Sequence, residues 1–73
     1  MKALSEIPIN SVKQIHSFTC QIIARKLITM GVVPGKEIEI IRKTGFGKTF
    51  LVRVEDSHFA LRQNEAANIL IKN

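Results

Sequence analysis

Seventy-three residues, a net charge of +5 and one cysteine exclude several protein classes at once. The length allows a single domain, residues 1–73. No internal disulfide or multi-thiolate metal site can form within the chain, and no apolar run reaches the roughly 18–20 residues that span a bilayer. The first twenty residues do not show the charged and then apolar order of a secretory signal, so a soluble cytoplasmic domain is expected. The positive balance suits nucleic acid, an acidic protein surface, the anionic inner leaflet of a membrane or a merely solvated face, and does not choose among them. A chain this short buries only about 60% of its unfolded surface. It therefore needs a dense apolar complement, and 25 Ile, Leu, Val and Phe residues supply it. Ile and Val outnumber Leu 16 to 5, a β-branched excess that favours strands over a helical bundle.

The lead-in Leu4-Ser5-Glu6-Ile7-Pro8 places two apolar residues three apart, and Pro8 stops any helix there. Asn10-Ser11 reads as a turn, asparagine tolerating positive φ, and Val12 to Ile15 or His16 as a first strand. A helix follows over Thr19–Met30, capped by Ser17 or Thr19. Cys20, Ile23, Leu27 and Met30 share one of its faces, whereas Ile22 falls off that stripe. Gly31 sits where a helix ends in the left-handed conformation. Pro34-Gly35 fits the centre of a type II turn, proline fixing the first φ and glycine supplying the positive second one.

Ile38 and Ile40 alternate with Glu37 and Glu39 in a second strand over Lys36–Arg42, the two glutamates facing cationic partners across the sheet. Lys43 to Lys48 is a loop with Phe46 between two glycines. Phe50, Val52 and Val54 mark the inward face of a third strand. Asp56-Ser57 turns the chain into a short fourth, His58–Leu61. Arg62–Ala67 reads as one helical turn, and Asn68–Lys72 as the last strand. Five short strands, one helix between the first two and a helical turn before the last predict a mainly β fold, a small closed barrel or rolled sheet. Leu27, Met30, Leu61 and Ala66 are its expected core residues, and Gly31, Pro34 and Gly35 its turn residues.

The block Arg25-Lys26-Leu27-Ile28-Thr29-Met30-Gly31-Val32-Val33-Pro34-Gly35 resembles the R-x-L-x-x-[LM]-G-[LIV]-x-P-G motif of the FeoA family. Phe59-Ala60-Leu61-Arg62-Gln63-Asn64-Glu65-Ala66, with Ile69, resembles that family's closing segment, and Leu4 and Pro8 match its lead-in. The resemblance covers essentially the whole chain. It implies an SH3-like β-barrel, the fold also found at the C-terminus of DtxR-type iron regulators. It further implies a bacterial, non-enzymatic accessory of ferrous iron transport that binds FeoB, a membrane transporter with a cytosolic G-domain, and so lies at the inner face of the cell membrane. The chain departs from the family at Asn10-Ser11, where glycine is common, and at Gly45-Phe46-Gly47-Lys48-Thr49, which replaces a loop containing G-D-P.

No Ser-His-Asp set and no pocketed carboxylate pair suggests catalysis, and no cofactor is expected. The G-K-T ending of the 45–49 loop lacks the first glycine of a phosphate-binding loop, Arg42 standing there, and precedes a strand rather than a helix. His16, Cys20 and His58 are the candidate Fe(II) donors, too few for a strong site, with Cys20 on the apolar stripe. A basic cluster remains: Arg42, Lys43 and Lys48 bracket Phe46, with Arg53 on the adjoining strand. One aromatic among cations can anchor a protein contact or stack on a base. The candidate partner-binding set is therefore Arg42, Lys43, Phe46, Lys48 and Arg53. A nucleic-acid-binding barrel is the alternative, although no second aromatic stands beside Phe46 to make a stacking platform. The oligomeric state stays open.

Overall fold

The helix α1 (Gln21–Thr29) ends in a complete set of Schellman hydrogen bonds. The Val32 N–H donates to the Leu27 carbonyl (2.9 Å) and the Gly31 N–H to that of Ile28 (3.0 Å). Gly31 adopts φ +96°, which a residue with a Cβ enters only at a cost of about 1–2 kcal/mol. Leu27 and Val32, the apolar pair that closes this motif, are both fully buried. The next turn follows at once: the Lys36 N–H reaches the Val33 carbonyl across Pro34-Gly35, with φ +94° at Gly35, as a type II turn requires. Gly35 N–H donates to the Ile15 carbonyl, Ile15 N–H to that of Lys36, and the Gln14 side-chain amide to that of Gly35. The bend is thereby stitched to the strand before the helix.

The structure, a computed structural model, describes residues 1–72; Asn73, the last residue of the expected 1–73 domain, lies outside them. In chain order the remaining elements are β1 (Lys2–Ala3), a 3-10 turn (Leu4–Glu6), β2 (Val12–Phe18), β3 (Glu37–Thr44), β4 (Thr49–Val54), β5 (Ser57–Arg62), α2 (Gln63–Ala67) and β6 (Ile69–Ile71). All pairs are antiparallel, in the order β1-β6-β2-β3-β4-β5. β2 serves both halves of the sheet. Val12 to Gln14 pair with β3, and Ile15 to Phe18 pair with β6 across a register shift. This change of partner folds the sheet over its own core.

Five strands and both helical segments stand where the alternation and spacing place them. The sixth strand, β1, is two residues long and exists through its pairing with β6, too short to carry a period. The inward sets Ile38/Ile40, Phe50/Val52/Val54 and Ile69/Ile71 are buried with Leu61 and Ala66, and Ile23 and Met30 pack against them half-buried. Three local expectations need correction, the first being that Lys43 and Thr44, expected in a loop, extend β3 by pairing with Phe50 and Thr49. The N-cap is Cys20, with no side-chain cap, because Thr19 bonds Asn68 through both its N–H and its hydroxyl, and Ser17 lies within β2 beside His16. The β4–β5 turn falls on Glu55-Asp56, with φ +55° at Glu55, and Ser57 already pairs with Val54.

Glu65 ties the two helices together. Its carboxylate accepts from the Lys26 ammonium and from the Arg62 N–H (2.8 Å), the latter one half of a capping box. Glu65 is the one buried charged side chain among the described residues. Burial pushes its carboxyl up, but the Lys26 and Arg62 bonds and the charges of both residues outweigh it and hold the pKa below its ordinary value of 4.5. A carboxyl depressed in the folded state stabilises the fold above its unfolded pKa and loses that contribution as the pH falls through the folded one. Urea midpoints should therefore hold steady down to about pH 5 and drop below it. Glu65→Gln should cost about 1 kcal/mol at neutral pH and make the acid slope shallower. An unchanged slope in that variant would contradict the assignment.

Candidate functional site

β3 carries an extra residue at Ile41, where the register with β4 shifts between Ile40 and Arg42. Such a bulge re-aims the side chains beyond it. Arg42 then points to solvent opposite Leu51, and Lys43 lies opposite Phe50, its ammonium 5.2 Å from the ring centroid. That distance permits a cation–π contact.

The hairpin closes through Gly45-Phe46-Gly47-Lys48. Gly47 N–H donates to the Thr44 carbonyl (3.1 Å) and Lys48 N–H to that of Gly45 (3.2 Å). Three successive residues are left-handed, with φ +60° at Gly45, +58° at Phe46 and +82° at Gly47. Glycine takes this conformation freely; phenylalanine does not. Nor does the ring gain anything by packing, since Phe46 is fully exposed, at 106%. Strain and exposure at one residue mark a site whose sequence is not chosen for stability. The loop's far side is fixed to the barrel, Gln63 N–H donating to the Lys48 carbonyl (2.9 Å).

The structure brings Arg42, Lys43, Phe46 and Lys48 together at this tip and leaves Arg53 out. Arg53 lies four residues along β4 from Thr49, about 13 Å at strand spacing, with its guanidinium bound to Glu39 (2.6 Å). This is the cross-strand pairing expected for Glu39; Glu37, for which the same was expected, lies opposite Gln14 instead and takes part in none of the ion pairs among the described residues. Val12, Glu37, Glu39, Arg53 and Glu55 line an open cavity of about 140 Å³ there, and Lys36 reaches Glu55 (2.7 Å). None of the three ion pairs among the described residues involves Arg42, Lys43 or Lys48.

His16 lies in β2 and Cys20 caps α1, so the two do not share a helix face. Among the described residues no three His, Cys, Asp or Glu side chains are grouped to hold a metal ion. Sequence reasoning missed the Lys26–Glu65 link, for which a separation of 39 residues leaves no local signal. It also left unremarked that Ile28, like Ile22 on α1, is exposed.

Phe46→Asn places asparagine before Gly47, a favoured pair for a left-handed turn. The variant should be more stable than the parent by about 0.5–1 kcal/mol, a melting-temperature rise of a few degrees. A fall on melting would mean that the ring supports the fold after all.

Comparison with known proteins places this geometry in a family. The FeoA domain matches residues 2–73. No curated protein matches the chain significantly. Among solved structures, a FeoA-like protein from Clostridium acetobutylicum is similar at 30% identity and a TM-score of 0.90, over 97% of this chain and 84% of that one. A FeoA from Stenotrophomonas maltophilia complexed with zinc, described as a prokaryotic SH3-domain protein and a candidate ferrous iron transport activating factor, is 31% identical with a TM-score of 0.83, over 99% and 91%. A manganese-dependent transcriptional repressor shares the fold at 11% identity and a TM-score of 0.88, over 96% of this chain and 35% of that one. With its helix stop, its rolled six-stranded sheet and a match spanning nearly its whole length, the chain belongs to the FeoA family.

Proposed function

We infer that the chain is a non-enzymatic accessory of ferrous iron uptake that works in the cytoplasm by binding the FeoB transporter. The observation that carries this reading is the tip of the β3–β4 hairpin in a member of the FeoA family. An unpacked aromatic on strained backbone, with Arg42, Lys43 and Lys48 close by in the hairpin and outside the ion pairs among the described residues, is costly for a free protein and useful for one that docks. The relative from Stenotrophomonas maltophilia, described in terms of ferrous iron transport activation, points the same way. In this reading Arg42, Lys43, Phe46 and Lys48 face the transporter at the membrane. Arg53, held by Glu39, contributes from the opposite end of the ribbon. No helix among the described residues is long and apolar enough to cross a membrane.

Titrating the isotope-labelled chain with full-length FeoB in neutral detergent, and separately with its G-domain, tests the reading. Saturable shifts at the tip or along α1 are expected with at least one of them. Absence of binding to both would overturn it.

A further inference from the structure

The geometry points to the lipid surface around the transporter, rather than the transporter alone, as what the hairpin tip touches. Phe46 enters the headgroup region of an anionic leaflet, with Arg42, Lys43 and Lys48 among the lipid phosphates. The inference deepens the docking reading above and rests on it, because one ring and three cations hold a protein at a bilayer only transiently. Combined with a protein contact, a weak membrane contact acts through effective concentration.

Three features favour a bilayer. The ring projects from the closed end of a two-stranded ribbon with nothing packed on it, the form of a wedge rather than a platform. Stacking on nucleic acid calls for further exposed aromatics alongside, but Phe50 is buried and Phe18 and Phe59 pack against the core. A single aromatic is enough at a membrane interface, where ring and polar surroundings meet. Lastly, charge is sorted along the ribbon. Glu37, Glu39 and Glu55 gather where β3 begins and β4 ends, with Glu39 and Glu55 offset by Arg53 and Lys36, whereas Arg42, Lys43 and Lys48 flank the tip free of ion pairs among the described residues. Against an anionic surface the end with paired charges is neither drawn in nor strongly repelled, whereas the unpaired cations are attracted, so the hairpin approaches tip first.

Vesicles of phosphatidylcholine with one third phosphatidylglycerol, compared with phosphatidylcholine alone, supply the test. With the anionic vesicles at low salt, amide signals of residues 44–48 should broaden before those elsewhere, and recover in high salt. Phe46→Ser should weaken binding on the order of tenfold. Lys48→Glu, a change of two charges, should weaken it by about 25-fold, at about fivefold per charge. Melting curves of both variants establish that they fold. Broadening spread evenly over the basic surface, indifference to Phe46→Ser, or tighter binding of a single-stranded oligonucleotide through the same amides would each overturn the inference. The detergent titration with FeoB contains no anionic lipid, so the two readings fail separately. Binding to FeoB without vesicle binding removes only the lipid contact, and vesicle binding without FeoB binding removes only the docking.

Discussion

The Val32 N–H meets the Leu27 carbonyl at the end of α1, and the side chains of the same two residues are sealed in the core. One motif thus stops the helix, satisfies carbonyls that its end would leave bare, and fixes where the chain re-enters the sheet. Three and four residues beyond Val32, at Gly35 and Lys36, the chain is hydrogen-bonded to β2. Gln14 is thereby set opposite Glu37, and the rest of the β2–β3 register follows. Because β2 also pairs with β6, an error at this bend would spread to both halves of the sheet.

The barrel built on that bend is satisfied almost everywhere. No buried side-chain polar atom among the described residues lacks a partner, and the buried carboxylate of Glu65 is matched by Lys26 and a backbone N–H. The exception is the closed end of the β3–β4 hairpin. There the backbone is left-handed at three residues in a row, and Phe46 is the most exposed large hydrophobic side chain among the described residues. A stable scaffold carrying a strained and fully exposed aromatic on one loop is the arrangement expected of a binding module, since function tends to sit on loops held by a stable frame.

Much of this was legible in the residues themselves. Gly31 and Pro34-Gly35 announce their backbone conformations through chemistry that few alternatives share, and each adopts the geometry its residue type demands. Asn10, expected to stand in for glycine in a turn, has φ +65°. Period-two alternation placed Ile38, Ile40, Phe50, Val52 and Val54 inside. What stayed hidden depends on pairing at a distance. β1 has two residues and no period of its own, Thr19 is drawn from the helix cap to Asn68, and Lys26 finds Glu65 across the chain. Of the basic cluster, the residues show which side chains lie near the loop in sequence but not how the register distributes them. The bulge at Ile41 turned Lys43 onto Phe50, and Glu39 took Arg53; neither could be seen without the register.

The dependence of the fold on the helix stop is most directly measured by denaturing Leu27→Ala beside the parent chain while following the amide signals of the hairpin tip. Removing a fully buried leucine should cost about 2–5 kcal/mol. The signals of residues 44–48, which belong to a separately hydrogen-bonded hairpin, should stay where they are in the native variant. A stability within about 0.5 kcal/mol of the parent, the range of an ordinary surface substitution, would contradict the account.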